Sequence, residues 1–147
     1  MEQHNKLYLT SDESILFDEN YRYIISVIET SHSSKKGTTI TMLDNFSKFC
    51  KELEFDESIL LSILGKKLSC KSGIDKYTKY YYLQGEFSHS QIKQILYEFI
   101  QKYLLCNMCD KPEVRLTYKQ KQDRIQQKCN ACGNKYYLED ENEIIHI

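Results

Sequence analysis

Along the first hundred residues the hydrophobic pattern changes period several times, and each change predicts an element. "YRYIISVIE" (21–29) and "GTTITML" (37–43) are rich in β-branched and aromatic residues and are separated by the polar run "TSHSSKKG", which predicts a hairpin with that run as its loop. The period then becomes helical. Phe46, Phe49, Cys50 and Leu53 recur along "NFSKFCKEL", with Asp44 placed to cap the first turn. A second helix, "ESILLSILGKKL", carries Ile59, Leu60, Ile63 and Leu64 on one stripe. "SCKSGID" and "KYYYLQG" return to a strand pattern around a turn near Lys76. In "SHSQIKQILYEFIQKYLL", Ile92, Ile95, Leu96, Phe99, Ile100 and Tyr103 form a broad apolar face over about four helical turns. Beyond residue 106 the hydrophobic density falls, and "VRLTYKQ", "DRIQQK" and "NKYYL" read as three thin, polar strands.

These elements predict an α+β protein: a small mixed α/β core of hairpin, two helices, two strands and a long helix, followed by a C-terminal four-cysteine zinc ribbon. The expected divisions are an N-terminal segment 1–19, a core 20–105, a ribbon 106–138 and an acidic tail 139–147. No Gly/Pro/Ser-rich linker parts the long helix from Cys106, so the ribbon is expected to be attached with limited freedom. With 147 residues, 41% hydrophobic and 28% charged, the composition is that of a folded chain, sufficient for one domain or for one domain with a small stapled appendage. The opening residues contain neither a basic n-region nor an apolar run of signal-peptide length, and no segment approaches a membrane span. A reducing cytoplasm is the expected compartment.

That compartment governs the reading of the cysteines. Four of the six lie in "CNMCDKPEVRLTYKQKQDRIQQKCNACG" as two Cys-x-x-Cys pairs with nineteen residues between the inner members. In a reducing environment this spacing points to zinc rather than disulfides, with a redox dithiol as the competing reading. Each pair forms a turn that presents two thiolates, and Cys106, Cys109, Cys129 and Cys132 together complete a closed tetrahedron around one structural Zn²⁺. Gly133 follows the second pair, where a positive φ is needed; Asp110 and Lys111 occupy the equivalent place after the first. Four thiolates leave no open coordination position, so no catalytic residue is assigned. The chain is expected not to be an enzyme.

Charge is uneven although the total is only −1: residues 1–34 sum to −4, 35–105 to +3, 106–138 to +4 and 139–147 to −4. A modest positive field on the core and ribbon suits phosphate, so RNA contact is expected at Lys35 and Lys36 in the polar loop and at Arg115, Lys119, Lys121, Arg124, Lys128 and Lys135 in the ribbon. Solvated loop and sheet faces are the bland alternative. His4, His32, His89 and His146 lie in separate polar contexts and are read as surface residues. Cys50 is read as a small core residue, and Cys70 has no neighbour that would make it a nucleophile. The tyrosines of "YTKYYYL" fit alternating strand burial better than a stacking platform for bases.

Several runs carry a family resemblance. "TTITMLDNFSKFCKEL", "LLSILGKKLSCKSGID", "YYYLQGEFSHSQIKQILYEFIQKYLLCNMCDKPEVRL" and "KCNACG" resemble the beta subunit of translation initiation factor 2 and the related N-terminal domain of translation initiation factor 5, over roughly residues 20–138. The resemblance implies a translation initiation factor of the beta type that binds the GTPase gamma subunit. It would assist initiator tRNA delivery and start-codon selection on the small ribosomal subunit, with other initiation factors as further partners and no membrane. It also implies that the segment containing Leu7, Leu9, Ile15, Leu16 and Phe17 docks on the gamma subunit; a loosely packed arm is the alternative. "DENYRYIISV" resembles the entry to the factor 5 domain, which implies a minimal GTPase-activating protein using Arg22 as the second reading. An arginine between two tyrosines is also read as a solvent-facing residue stacked on a neighbour. A zinc-ribbon transcription factor acting on RNA polymerase is the third.

Overall fold

The computed structural model describes residues 2–3, 5–18 and 20–138. The acidic tail 139–147, His4 and His146 lie outside the described residues, as do the side chains of Phe17 and Lys35. In chain order the strands are β1 (Glu2–Gln3), β2 (Lys6–Tyr8), β3 (Ile24–Ser26), β4 (Thr30–Lys35), β5 (Thr38–Leu43), β6 (Ser72–Ile74), β7 (Tyr81–Gln84), β8 (Val114–Lys119), β9 (Arg124–Cys129) and β10 (Lys135–Tyr137). The helices are α1 (Phe46–Leu53), α2 (Glu57–Lys67) and α3 (His89–Phe99), with a 3-10 turn at Glu13–Phe17 and a π-helical continuation of α3 at Ile100–Leu104. The architecture is the expected α+β. No helix among the described residues is long and apolar enough to cross a membrane.

Contacts divide the chain into two compact units, Met1–Ile25 with Tyr97–Ile147, and Ser26–Leu96. The N-terminal residues group with the ribbon and with the end of the long helix.

Unit Ser26–Leu96 is an antiparallel sheet in the order β4-β5-β7-β6 with its helices. Its hairpin differs from the one expected. The polar run "TSHSSK" is itself strand β4, paired residue for residue with β5 from Thr30↔Leu43 to Lys35↔Thr38. Lys36 (φ 51°) and Gly37 (φ 79°) form the two-residue turn, the pair of positive φ values that matches the twist of a tight hairpin. An edge strand can be polar on both faces because one side of it meets only water, so hydrophobic alternation does not reveal β4.

Ile40, Leu43 and Leu83 from the sheet are buried, as are Phe46, Phe49, Cys50 and Leu53 from α1. Helix α2 adds Leu60, Leu61, Ile63 and Leu64. Its apolar arc is wider than one stripe and is centred differently, so Leu61 lies inside and Ile59, expected inside, is 38% exposed. Asp56 caps this helix through the amide of Ile59 at 3.0 Å. Asp44 does not cap α1: its carboxylate accepts from Ser31 Oγ at 2.8 Å. Neighbouring Asn45 is turned toward the connector instead, accepting from the Glu29 amide at 2.7 Å and donating to the Val27 carbonyl at 2.9 Å.

After β7 the chain reverses at Gly85 (φ 130°), where a Cβ would meet the Phe87 ring at 2.9 Å. Buried Thr41 fastens this corner by donating to the Gly85 carbonyl (2.8 Å) and accepting from the Phe87 amide (3.0 Å). Cys50 is buried, and burial pushes its thiol up to about 12, as suits a core residue. Burial also raises the half-buried Cys70 thiol. His32 and His89 are exposed and donate through Nε2 to the carbonyls of Phe87 (2.7 Å) and Ile28 (2.5 Å). Tyr77 and Tyr80 are exposed, whereas Tyr81 is half-buried and donates to Glu57.

In the other unit, β1, β2 and β3 form a small sheet and β10-β9-β8 form the ribbon. The helical path from α3 widens at Ile100–Leu104, where the Leu105 amide reaches the Ile100 carbonyl at 3.0 Å, five residues back. The side chain of Gln127, 3% exposed in β9, donates to the Tyr103 carbonyl at 3.0 Å. A buried amide of the ribbon is thereby satisfied by the helical segment that precedes it.

Candidate metal centre

The two Cys-x-x-Cys turns are built alike. In the first, the Cys106 amide donates to the Lys111 carbonyl (3.1 Å) and the Asp110 amide to the Cys106 carbonyl (2.9 Å). The second repeats this pattern at the same spacing, with Cys129 to Asn134 (3.0 Å) and Gly133 to Cys129 (2.9 Å). Each turn has a left-handed residue at the same place, Asp110 (φ 60°) and Gly133 (φ 80°). Glycine takes that conformation freely and aspartate tolerates it better than most residues. The sequence therefore encodes two equivalent turns despite their different residues.

These turns aim four sulfurs at one point. Cys106 Sγ lies 3.7 Å from Cys132 Sγ, Cys109 Sγ lies 3.6 Å from Cys129 Sγ, and all four sit within 4.8 Å of one another. A regular tetrahedron with metal–sulfur bonds of about 2.3 Å has sulfurs about 3.8 Å apart. The donors fit one tetrahedral ion. Cys106 and Cys129 are buried with Val114 on one side of the ribbon, while Cys132 is exposed.

The backbone prepares the thiolates. Burial opposes ionisation of Cys106, yet the amides of Cys109 and Met108 and the neighbouring thiols outweigh it and hold Cys106 at about 7. The Met108 amide is 3.4 Å from its sulfur. Cys109 shows the opposite balance: the Lys111 amide favours its thiolate, but burial and the sulfurs of Cys129, Cys106 and Cys132 push it up to about 12. A divalent cation removes that mutual penalty. Among the described residues this is the one group of His, Cys, Asp or Glu donors arranged for a metal.

Asp110, which the sequence marked only as the residue in place of a glycine, has a second task. Its carboxylate accepts from Thr10 Oγ1 at 2.6 Å, Ser11 Oγ at 2.5 Å and the Ser11 amide at 3.0 Å, tying the N-terminal arm to the first turn. Burial raises the Asp110 pKa, but these hydrogen bonds prevail and the net shift is downward. The attachment is therefore complete above the ordinary carboxylate range and is lost as pH falls through the depressed value. Replacing Asp110 with alanine is expected to cost about 1–2 kcal/mol. It should raise hydrogen exchange in β1 and β2 while leaving metal content at one ion per chain; unchanged exchange would show that the arm is held without this carboxylate.

The apolar residues of the arm differ in burial. Leu7 and Leu9, read as partner-facing, are 1% and 5% exposed within their own unit. The Leu9 amide donates to the Tyr23 carbonyl at 3.0 Å, and Tyr21 OH donates to the Leu9 carbonyl at 2.7 Å. Leu7 lies on β2, the middle strand of its sheet, and Leu7 and Leu9 line one small cavity together with Tyr97, Ile100 and Leu105 of the same unit. Ile15 and Leu16 remain half-buried on the 3-10 turn. Arg22 is exposed with its guanidinium 5.2 Å from the centre of the Tyr23 ring. Both flanking tyrosines are fastened, Tyr21 to Leu9 and Tyr23 to Glu113 Oε1 at 2.7 Å. Lys36 stands exposed at the hairpin turn beside Lys35. Arg115 and Lys119 are half-exposed in β8, and Lys121, Arg124, Lys128 and Lys135 are exposed.

Comparison with known proteins agrees with this combination of elements. The chain is 29% identical over 116 residues to eukaryotic translation initiation factor 5 of Caenorhabditis elegans, covering 79% of this chain and 26% of that protein. It is 26% identical over 113 residues to the Drosophila melanogaster factor 5, covering 77% and 24%. The translation initiation factor 2 subunit beta of Methanoregula boonei is 29% identical over 108 residues, covering 73% of this chain and 50% of that protein. The chain thus spans about a quarter of the factor 5 relatives and half of the archaeal one. The family profile for the domain found in initiation factor 2B and initiation factor 5 matches residues 13–135, across both compact units, and the chain belongs to that family.

Proposed function

We propose that this protein is a translation initiation factor of the beta-subunit type, a non-enzymatic adaptor that binds the GTPase gamma subunit and assists initiator tRNA delivery and start-codon selection on the small ribosomal subunit. The family match over residues 13–135 supports an initiation factor, since it takes in the mixed sheet, the long helix and both cysteine turns together, and it suits a beta subunit and a factor 5 domain alike. The ion held by the four cysteines is zinc, in a structural role, because a closed tetrathiolate suits it and offers no site for substrate. With Leu7 and Leu9 buried, the half-buried Ile15 and Leu16 are the described apolar side chains of the arm left for docking on the gamma subunit, and Phe17 follows them in sequence. Lys36 at the exposed hairpin turn, with Lys35 next to it in sequence, suits contact with the phosphate of tRNA or ribosomal RNA.

A factor 5-like activating role is the second reading, favoured by one observation: Arg22 presents an exposed guanidinium on backbone held by two anchored tyrosines. A guanidinium stays protonated and, placed at a γ-phosphate, stabilises the charge that develops in transfer.

Capture of partners from an extract with the tagged chain separates the readings. Recovery of the gamma subunit with initiator tRNA supports the initiation factor; recovery of RNA polymerase in their place overturns it in favour of a transcription factor. Single-turnover GTP hydrolysis on the gamma subunit then addresses Arg22. An activating residue loses about 10³-fold or more in stimulation on Arg22→Ala, whereas equal rates for both proteins leave the adaptor role alone.

A further inference from the structure

We propose that Tyr136 is a positioning residue of the metal centre, whose hydroxyl donates a hydrogen bond to the Cys106 thiolate and sets how tightly that sulfur holds the ion. The proposal rests on metal binding by the four cysteines and is independent of the role in initiation.

Strand register places the ring. Tyr136 in β10 lies opposite Gln127 in β9, and residues opposite in a ladder share a face, as do alternate residues along a strand. Ile125, Gln127 and Cys129 are all buried along that face of β9. Tyr136 therefore belongs to the side of the sheet that carries a metal-binding cysteine, whereas its neighbours Lys135 and Tyr137 belong to the other. Cys106, Asn107 and Tyr136 also line one cavity together.

The hydroxyl does not behave as an ordinary core group. Its oxygen is shut off from solvent and no group stands in full hydrogen-bond geometry to it, a condition shared by no other buried side-chain nitrogen or oxygen among the described residues. Buried polar groups are nearly always paired. Burial raises the Tyr136 pKa, the Asn107 amide lowers it and the sulfurs of Cys106 and Cys129 raise it again, a net rise that keeps the proton on oxygen at neutral pH. The hydroxyl is thus a donor. An amide N–H only donates, so sulfur is the acceptor among these groups; Cys129 acts on the hydroxyl by charge alone, whereas Cys106 also acts through its side chain as a hydrogen-bonding group.

Metal binding supplies the acceptor that the hydroxyl lacks. A thiolate bonded to a cation stays ionised, and a charged acceptor makes a stronger hydrogen bond than a thiol. Four thiolates around one divalent ion leave an excess of negative charge, which donors aimed at sulfur offset. Backbone amides meet part of this need. The Met108 amide lies 3.4 Å from Cys106 Sγ, and the amides of Lys111 and Asn134 favour the thiolates of Cys109 and Cys132. Tyr136 adds a side-chain donor to the same set.

Cobalt substitution of the full chain tests this, because Tyr136→Phe keeps the ring and removes only the oxygen. In Tyr136→Phe the sulfur-to-cobalt charge-transfer band is expected to move to longer wavelength, since a sulfur that accepts no hydrogen bond gives up its electrons more easily. The ligand-field bands of a tetrahedral site should keep their intensity, and zinc affinity measured against a chelator should fall about 10-fold. Tyr137→Phe, which removes a hydroxyl from the opposite face, is expected to change neither. An unmoved band in Tyr136→Phe, with or without weaker zinc binding, would make Tyr136 a packing residue and overturn the proposal; equal shifts in both variants would do the same. Should Tyr136→Phe bind no cobalt, the cadmium-loaded wild type decides: the Tyr136 hydroxyl proton is expected to couple to the metal nucleus through sulfur, and absence of that coupling overturns the proposal. A wild-type chain without tetrathiolate bands would instead remove the metal centre itself.

Discussion

Cys129→Ser is expected to abolish tight metal binding and unfold residues 106–138. Cys129 is fully buried, and its sulfur is 3.6 Å from that of Cys109, so serine there puts a poorly coordinating hydroxyl into one corner of the tetrahedron. The ribbon's own core is Val114 together with Cys106 and Cys129, flanked by Cys109 and Leu116. So little apolar surface cannot offset the chain entropy of some thirty residues. Structural zinc contributes about 10–16 kcal/mol in small four-ligand domains, as much as the whole stability of an ordinary domain, about 5–15 kcal/mol. Elemental analysis should find one zinc per wild-type chain and none in the variant, with loss of amide protection in β8, β9 and β10. A wild-type ribbon that stays protected after complete chelation would contradict this account. Iron in the wild-type protein would keep the fold argument and change the ion.

The second large effect is expected in the other unit. Phe49→Ala should destabilise it by about 3–5 kcal/mol. Phe49 is 0% exposed on α1, one turn from buried Phe46 and beside buried Cys50 and Leu53. Truncation leaves a ring-sized void among residues already fixed by sheet and helices, which can close over it only in part. Urea unfolding followed in the region 26–96 should show a lower midpoint at an unchanged denaturant dependence. Ile59→Ala, on a residue 38% exposed, should shift the midpoint far less. Equal shifts for the two would mean that the apolar arc of α2 had been wrongly placed.

Family membership at 24–29% identity is compatible with this division of effects. Packing tolerates substitution where volume is kept, whereas coordination depends on sulfur at four positions. Lys36 and the ribbon cations are exposed or half-exposed, so their replacement should alter binding and salt dependence with little effect on stability.

Features that depend on neighbours within a turn or two were legible in the linear pattern. Two Cys-x-x-Cys turns, their residues in left-handed conformation, and helices α1, α2 and α3 follow from spacing and period, because sulfur placement in a knuckle and apolar recurrence at 3.6 residues are local matters. Tertiary structure decided which segments pair. Strand β4 has no hydrophobic alternation and exists only because β5 offers it a ladder; Leu7 and Leu9 are indistinguishable by composition from a docking peptide until β3 and Tyr21 enclose them. The same holds for Asp110, whose three hydrogen bonds come from residues about a hundred positions away, and for Tyr136, which shares a face with Gln127 and Cys129 only once the register is set. Long-range pairing depends on the surfaces available after the chain has folded back, and a linear pattern does not carry that information.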